Sequence, residues 1–92
     1  MSRAERVAQA LKKEVSSIIH DELKDPRIGF VTVTRVELTQ DLQCAKIFFS
    51  VLGMEKEQLD SKEALESAVG VIKRQIGRRI KLRLVPEIRF IQ

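Results

Sequence analysis

This sequence holds one cysteine, one histidine and no apolar run long enough to cross a bilayer, and each scarcity removes a class of function. Cys44 alone cannot close an internal disulfide, which fits a reducing compartment and gives the cytoplasm as the expected location. With His20 as the sole histidine, no run of metal-ligand spacing arises, and neither a phosphate-binding glycine loop nor a dinucleotide fingerprint is present. The opening residues, Met1-Ser2-Arg3-Ala4-Glu5-Arg6, are charged where a secretory leader needs an apolar core and a small-residue cleavage site. Carboxylates are plentiful, but none stands in an apolar context that would shift its pKa. No catalytic residue, metal, cofactor, small-molecule substrate or membrane contact is therefore expected, and the chain does not read as an enzyme. His20 falls near a helix end, where a positive charge complements the dipole. Cys44 reads as a small buried or half-buried filler at the start of a strand.

What remains is enough for one domain. Ninety-two residues supply one modest core, and a hydrophobic share of 43% argues against disorder despite 33% charged residues. Ser2-Arg3-Ala4-Glu5 has capping-box spacing, and Val7, Leu11, Val15 and Ile18 follow at helical intervals until Pro26 ends the helix. Phe30 to Leu38 is dense in β-branched residues. Val33 and Val36 cannot share a face under strict alternation, so a bulge or strong twist is expected near Thr34 and Arg35. Thr39-Gln40-Asp41 turns the chain into a second strand with Ala45, Ile47, Phe49 and Val51 on one side, making an antiparallel hairpin. Phe48 points to the other side, where it is either half-covered by neighbouring strands or free to stack on a base.

Gly53 to Gln58 reads as a polar loop, and Asp60-Ser61-Lys62-Glu63 as the next helix start. Leu65, Val69, Ile72, Ile76 and Ile80 form a long helical stripe, with its expected break at Ala68-Val69-Gly70, where small residues let two helices meet sharply. A last strand lies within Leu82 to Ile91, with Pro86 confined to an edge, an end or a bulge. The expected class is α+β in the order α-β-β-α-α-β: a three-stranded sheet with the helices on one face, mixed if the last strand returns parallel.

The charge is segregated. Glu55, Glu57, Asp60, Glu63 and Glu66 outnumber Lys56 and Lys62, whereas Lys73, Arg74, Arg78, Arg79, Lys81, Arg83 and Arg89 face only Glu87. A positive end of this kind attracts a polyanion. At helical spacing, Gly70, Arg74, Gly77, Arg78 and Lys81 share the side opposite the apolar stripe. Glycines there would let a sugar-phosphate backbone approach, and arginines suit bidentate phosphate contact. A plain solvated face, with glycines kept for a kink and for packing, is the simpler alternative. The expected contacts are Arg74, Arg78 and Lys81, with Lys73, Arg79 and Arg83 alongside and Arg3 and Arg6 extending the footprint if the first helix begins nearby. Arg79 and Arg83 are the members that could turn toward the sheet.

The module order resembles the KH domains, which clamp nucleic acid at a glycine-containing break between two helices. Their usual Gly-x-x-Gly is absent, and Ala68-Val69-Gly70 stands in its place. Along almost its whole length the chain resembles bacterial ribosome-binding factor A. The segments that carry this are Arg3-Ala4-Glu5-Arg6-Val7, Lys24-Asp25-Pro26-Arg27-Ile28-Gly29-Phe30, Val31 to Leu38, Asp41 to Ile47, Ala68 to Lys73, and Leu82 to Ile88. The resemblance implies a KH-like RNA-binding domain with an Ala-x-Gly break. It further implies a non-catalytic assembly factor for the free 30S ribosomal subunit, aiding late 16S ribosomal RNA maturation, including 5′-end processing, and growth in the cold. That family usually continues past its last strand with a polar tail, which is not seen after Gln92. A monomer is expected. Two other classes stay open on the residues alone: a module whose basic face meets an acidic protein, and a small RNA-modifying or nucleolytic enzyme.

Overall fold

Ser2 starts the first helix as its spacing predicts: in the computed structural model, which describes residues 1–92, its hydroxyl accepts the Glu5 N–H at 3.1 Å while the Glu5 carboxylate accepts the Ser2 N–H at 3.2 Å. Helix α1 spans Arg3–Asp21 and buries Ala4, Leu11, Val15, Ile18 and Ile19. It stops a turn short of Pro26. The Glu22 and Leu23 N–H groups both donate to the Ile18 carbonyl, which winds the last turn up and seats Leu23 against the core. The Asp25-Pro26-Arg27 turn follows. There the Asp25 carboxylate accepts the Arg27 N–H at 2.9 Å and its guanidinium at 2.7 Å, and these bonds hold the Asp25 carboxyl below the usual carboxylate range.

Strand β1, Phe30–Leu38, pairs antiparallel with β2, Cys44–Leu52. The expected bulge is present: Val33 faces Phe49 and Arg35 faces Phe48, leaving Thr34 as the extra residue. Val31 and Val33 point inward before it and Val36 and Leu38 after it, so one strand feeds the core on both sides of the shift. Cys44, expected as a filler, is exposed. It precedes the inward Ala45, and strand alternation turns it out.

Strand β3, Glu87–Ile91, lies within the expected Leu82 to Ile91 and runs parallel to β2, giving the sheet order β1-β2-β3. It begins only after Pro86, which has no N–H to give. Pairing opens instead with the Glu87 N–H on the Gln43 carbonyl at 2.8 Å.

Helix α2, Glu55–Ser67, starts five residues before the predicted cap at Asp60. Gly53, at φ +143°, ends β2 and turns the chain, and the Gln58 side chain donates back to the Gly53 carbonyl at 3.1 Å. Asp60 lies within the helix and pairs with Lys56 at 2.8 Å. The buried Ser61 hydroxyl donates to the Arg27 carbonyl and accepts the Gly29 N–H, which moors the segment before β1 to α2. Ala68, at φ −92° and ψ 0°, separates α2 from α3, Val69–Arg79. Its N–H still reaches the Ala64 carbonyl and its own carbonyl accepts the Ile72 N–H, so the chain bends without losing the ladder on either side.

All three helices cover one face of the sheet. Leu11, Val15, Ile18, Leu65, Ile72 and Ile76 meet Val31, Val33, Ile47, Phe49 and Phe90 in one core, with Phe49 and Phe90 edge to face at 5.9 Å. The opposite face stays open. On it Phe48 is half-buried under the Arg35 guanidinium, 4.2 Å from its ring, which agrees with the expected partial cover.

Candidate nucleic-acid interface

Burial of Ile72 and Ile76 fixes the rotation of α3, and with it the direction of every other residue on the helix. Gly70, Arg74, Gly77 and Arg78 turn to solvent at intervals of three and four. Arg74 and Arg78 are exposed and join none of the molecule's ion pairs. Lys81, just beyond the helix, is exposed as well. With α3 carrying Arg78 and Arg79 in its last turn, the charges also complement the negative end of its dipole.

The two glycines on this face differ. A Cβ added at Gly77 would lie 3.4 Å from a Val85 methyl, so the segment leading to β3 packs close against α3 there. A Cβ at Gly70 would meet nothing within 4 Å. Nothing inside the molecule calls for a glycine there, although one in a helix costs about 1 kcal/mol relative to alanine. Gly70→Ala is therefore expected to raise stability by roughly 0.5–1 kcal/mol, measured by thermal or urea unfolding, and to weaken RNA binding in a filter or sedimentation assay. A variant that gains stability and binds as before would remove Gly70 from the interface.

Lys73 and Arg79 have internal partners that their spacing does not reveal. Lys73 Nζ lies 2.9 Å from the Glu87 carboxylate, tying α3 to β3. Arg79 reaches Glu22 at 3.0 Å, Glu14 at 3.7 Å and the Ser17 hydroxyl at 3.2 Å, with its side chain only 23% exposed. It clamps α3 to α1. Arg74 and Arg78, by contrast, have no such partner on another element. Helical counting places residues on a face, but it does not see carboxylates delivered from another element.

Arg83 is exposed and shares a recess of about 460 Å³ with Arg3, Leu42 and Gln43. The start of α1 thus does stand beside the basic segment, as needed for Arg3 to add to it. Asp41 also lines this recess; its carboxylate is held low in pKa by the Thr39 hydroxyl and the Gln43 N–H. Arg6 is exposed one turn along α1 and does not line the recess. His20 is exposed in the last turn of α1, and no group of three or more His, Cys, Asp or Glu side chains converges anywhere in the molecule. What α3 presents to solvent is guanidinium and ammonium groups spaced along a helix, with open space at Gly70 just past the bend.

Known proteins share this fold. The family described as "Ribosome-binding factor A" matches residues 3–92. A ribosome-binding factor A of Staphylococcus carnosus is 53% identical over 88 residues, covering 96% of this chain and 76% of its own. A Thermotoga maritima protein solved by NMR superposes with TM-score 0.84 at 33% identity, covering 97% of this chain and 85% of that one. The Thermus thermophilus ribosome-binding factor A, as a homology model fitted into the map of a 30S complex, superposes with TM-score 0.68 at 24% identity, covering 96% and 88%.

Proposed function

The chain belongs to the ribosome-binding factor A family, and from that premise we propose that it binds the free 30S ribosomal subunit as a non-catalytic assembly factor. The KH-like unit of residues 1–92 is the RNA-binding domain. It docks on folded 16S ribosomal RNA through Arg74, Arg78 and Lys81, with Arg83 and Arg3 at the border of the footprint and Arg6 beyond them. Lys73 and Arg79 act mainly by fixing α3 in place. The observation that carries this reading is the pair of exposed, unpartnered guanidiniums on α3 beside Gly70, which has open space in front of it. The Thermus relative's placement in a 30S complex supports the choice of particle. Occupying an immature RNA site until it folds would assist late maturation, including processing of the 5′ end, and would matter most in the cold, where misfolded RNA escapes slowly. A cytoplasmic monomer suffices for this work.

Sedimentation with separated 30S, 50S and 70S particles at moderate and high salt tests the proposal. Salt-sensitive migration with the 30S particle alone is the expected result. Equal migration with every particle would reduce the protein to an unselective basic RNA binder, and no migration would overturn the reading.

A further inference from the structure

A second surface lies apart from the arginines. Phe30 is 78% exposed, Leu52 76% and Met54 76%. Phe30 and Leu52 stand opposite each other across β1 and β2, on the open side of the sheet, while their neighbours Val31 and Val51 point into the core. Met54 follows directly, past the turn at Gly53. Phe30 and Leu52 thus make an apolar cross-strand pair at one end of the hairpin, and the exposed Met54 lies two residues beyond Leu52 in the chain. Next along the same open face come Thr32 and Ser50, so small polar residues are tolerated there and strand alternation does not require the larger apolar ones. One exposed hydrophobe is ordinary, but a cluster of large ones is the mark of an interaction surface.

Charge decides what it meets. Glu55 and Glu57 follow Met54, both exposed and neither in an ion pair, while Lys56 is engaged by Asp60. Arg27, nearby in the chain, is held by Asp25 and Glu63. The chain that leaves the patch at Leu52 is therefore acidic, with the Glu57 side chain folded back beside Gly53, and it repels a phosphate backbone and attracts a cationic chain. The patch also sits about 25 Å along the strands from the turn that lines the Arg3–Arg83 recess, at ~3.3 Å per residue.

We propose that the Phe30–Leu52–Met54 patch docks a lysine- and arginine-rich protein segment bearing an apolar side chain, supplied by a protein of the 30S particle. This rests on the 30S reading above. The protein would hold ribosomal RNA with α3 and a ribosomal protein with the far end of its hairpin.

The test is a pair of affinities for Phe30→Thr combined with Leu52→Thr, a change that keeps β-forming residues at exposed positions and should unfold at the wild-type temperature. Binding to intact 30S subunits is expected to weaken by roughly tenfold or more, while binding to deproteinised 16S ribosomal RNA stays within about twofold. Equal affinity of variant and wild type for 30S would overturn the proposal. So would an equal loss on both targets, which would make the patch an RNA contact, or a wild-type dimer that the variant abolishes, which would make the partner a second copy. A wild-type protein that does not bind 30S at all would remove the parent reading as well. Independently, Met54→Cys in a Cys44→Ser background, carrying a thiol-linked photocrosslinker, should label ribosomal protein on the 30S subunit. Labelling of RNA alone would count against the proposal.

Discussion

Combined replacement of Arg74 and Arg78 by alanine is expected to lower affinity for the 30S subunit by roughly 10- to 100-fold near physiological salt. Each guanidinium that reaches a phosphate releases counterions, so the slope of log affinity against log salt should also fall, by about 0.7–0.9 for every phosphate left without its arginine. The fold should not notice. Both side chains are exposed and make no ion pair, and surface changes of this kind usually stay within about 0.5 kcal/mol. Lys13→Ala combined with Lys46→Ala is the matching control, because it removes two positive charges from exposed positions outside α3 that join no ion pair. If the double variant and the control bind alike, net charge rather than a defined face governs the interaction. If the double variant binds as wild type, α3 is not the interface.

The largest loss of stability is expected at Ile72. Its side chain is fully buried one turn after the bend at Ala68, where it meets the sheet and sets the rotation of α3. Ile72→Ala removes several methyl and methylene groups and leaves a cavity, at a cost of about 2–5 kcal/mol. In a domain of this size that lowers Tm by roughly 8–40 °C, at about 4–8 °C for each kcal/mol. Such a loss is a large share of the about 5–15 kcal/mol that holds a typical domain folded. Because Ile72 aims Arg74 and Arg78 outward, RNA binding should fall in step with the folded fraction. A Tm within about 3 °C of wild type would mean that α3 packs differently from the arrangement described.

How far these features are legible in the sequence depends on whether their cause is local. The capping box at Ser2 and Glu5 and the parity break at Val33 and Val36 are patterns of a few residues, and both hold in three dimensions. So does the bend at Ala68. The start of α2 is not legible, because Asp60 looks like a cap, whereas the chain turns at Gly53 and Met54 caps with backbone alone. Lys73 and Arg79 show the other kind of limit. Their partners come from β3 and α1, so only the tertiary fold distinguishes them from Arg74 and Arg78, which have the same chemistry a residue away. The outward Phe30 is hidden for a related reason: a phenylalanine heading a strand gives no sign of which face the sheet will bury.

The parallel pairing of β3 with β2 has a consequence for the chain as it is being made. Glu87 sits opposite Cys44, 43 residues earlier, so the sheet's third strand leaves the ribosome well after the other two. Until residues 87–91 are synthesised and released, β2 has a neighbour only on its β1 side, and Phe49 lacks the ring of Phe90. Helix α1 and the β1–β2 hairpin can form from contacts close in sequence, but closing the long loop to β3 must wait. The nascent chain therefore passes through a stage in which β2 is unpaired on its far side and the core is incomplete, and the arrival of β3 covers β2 and moves that sheet edge to the five-residue β3.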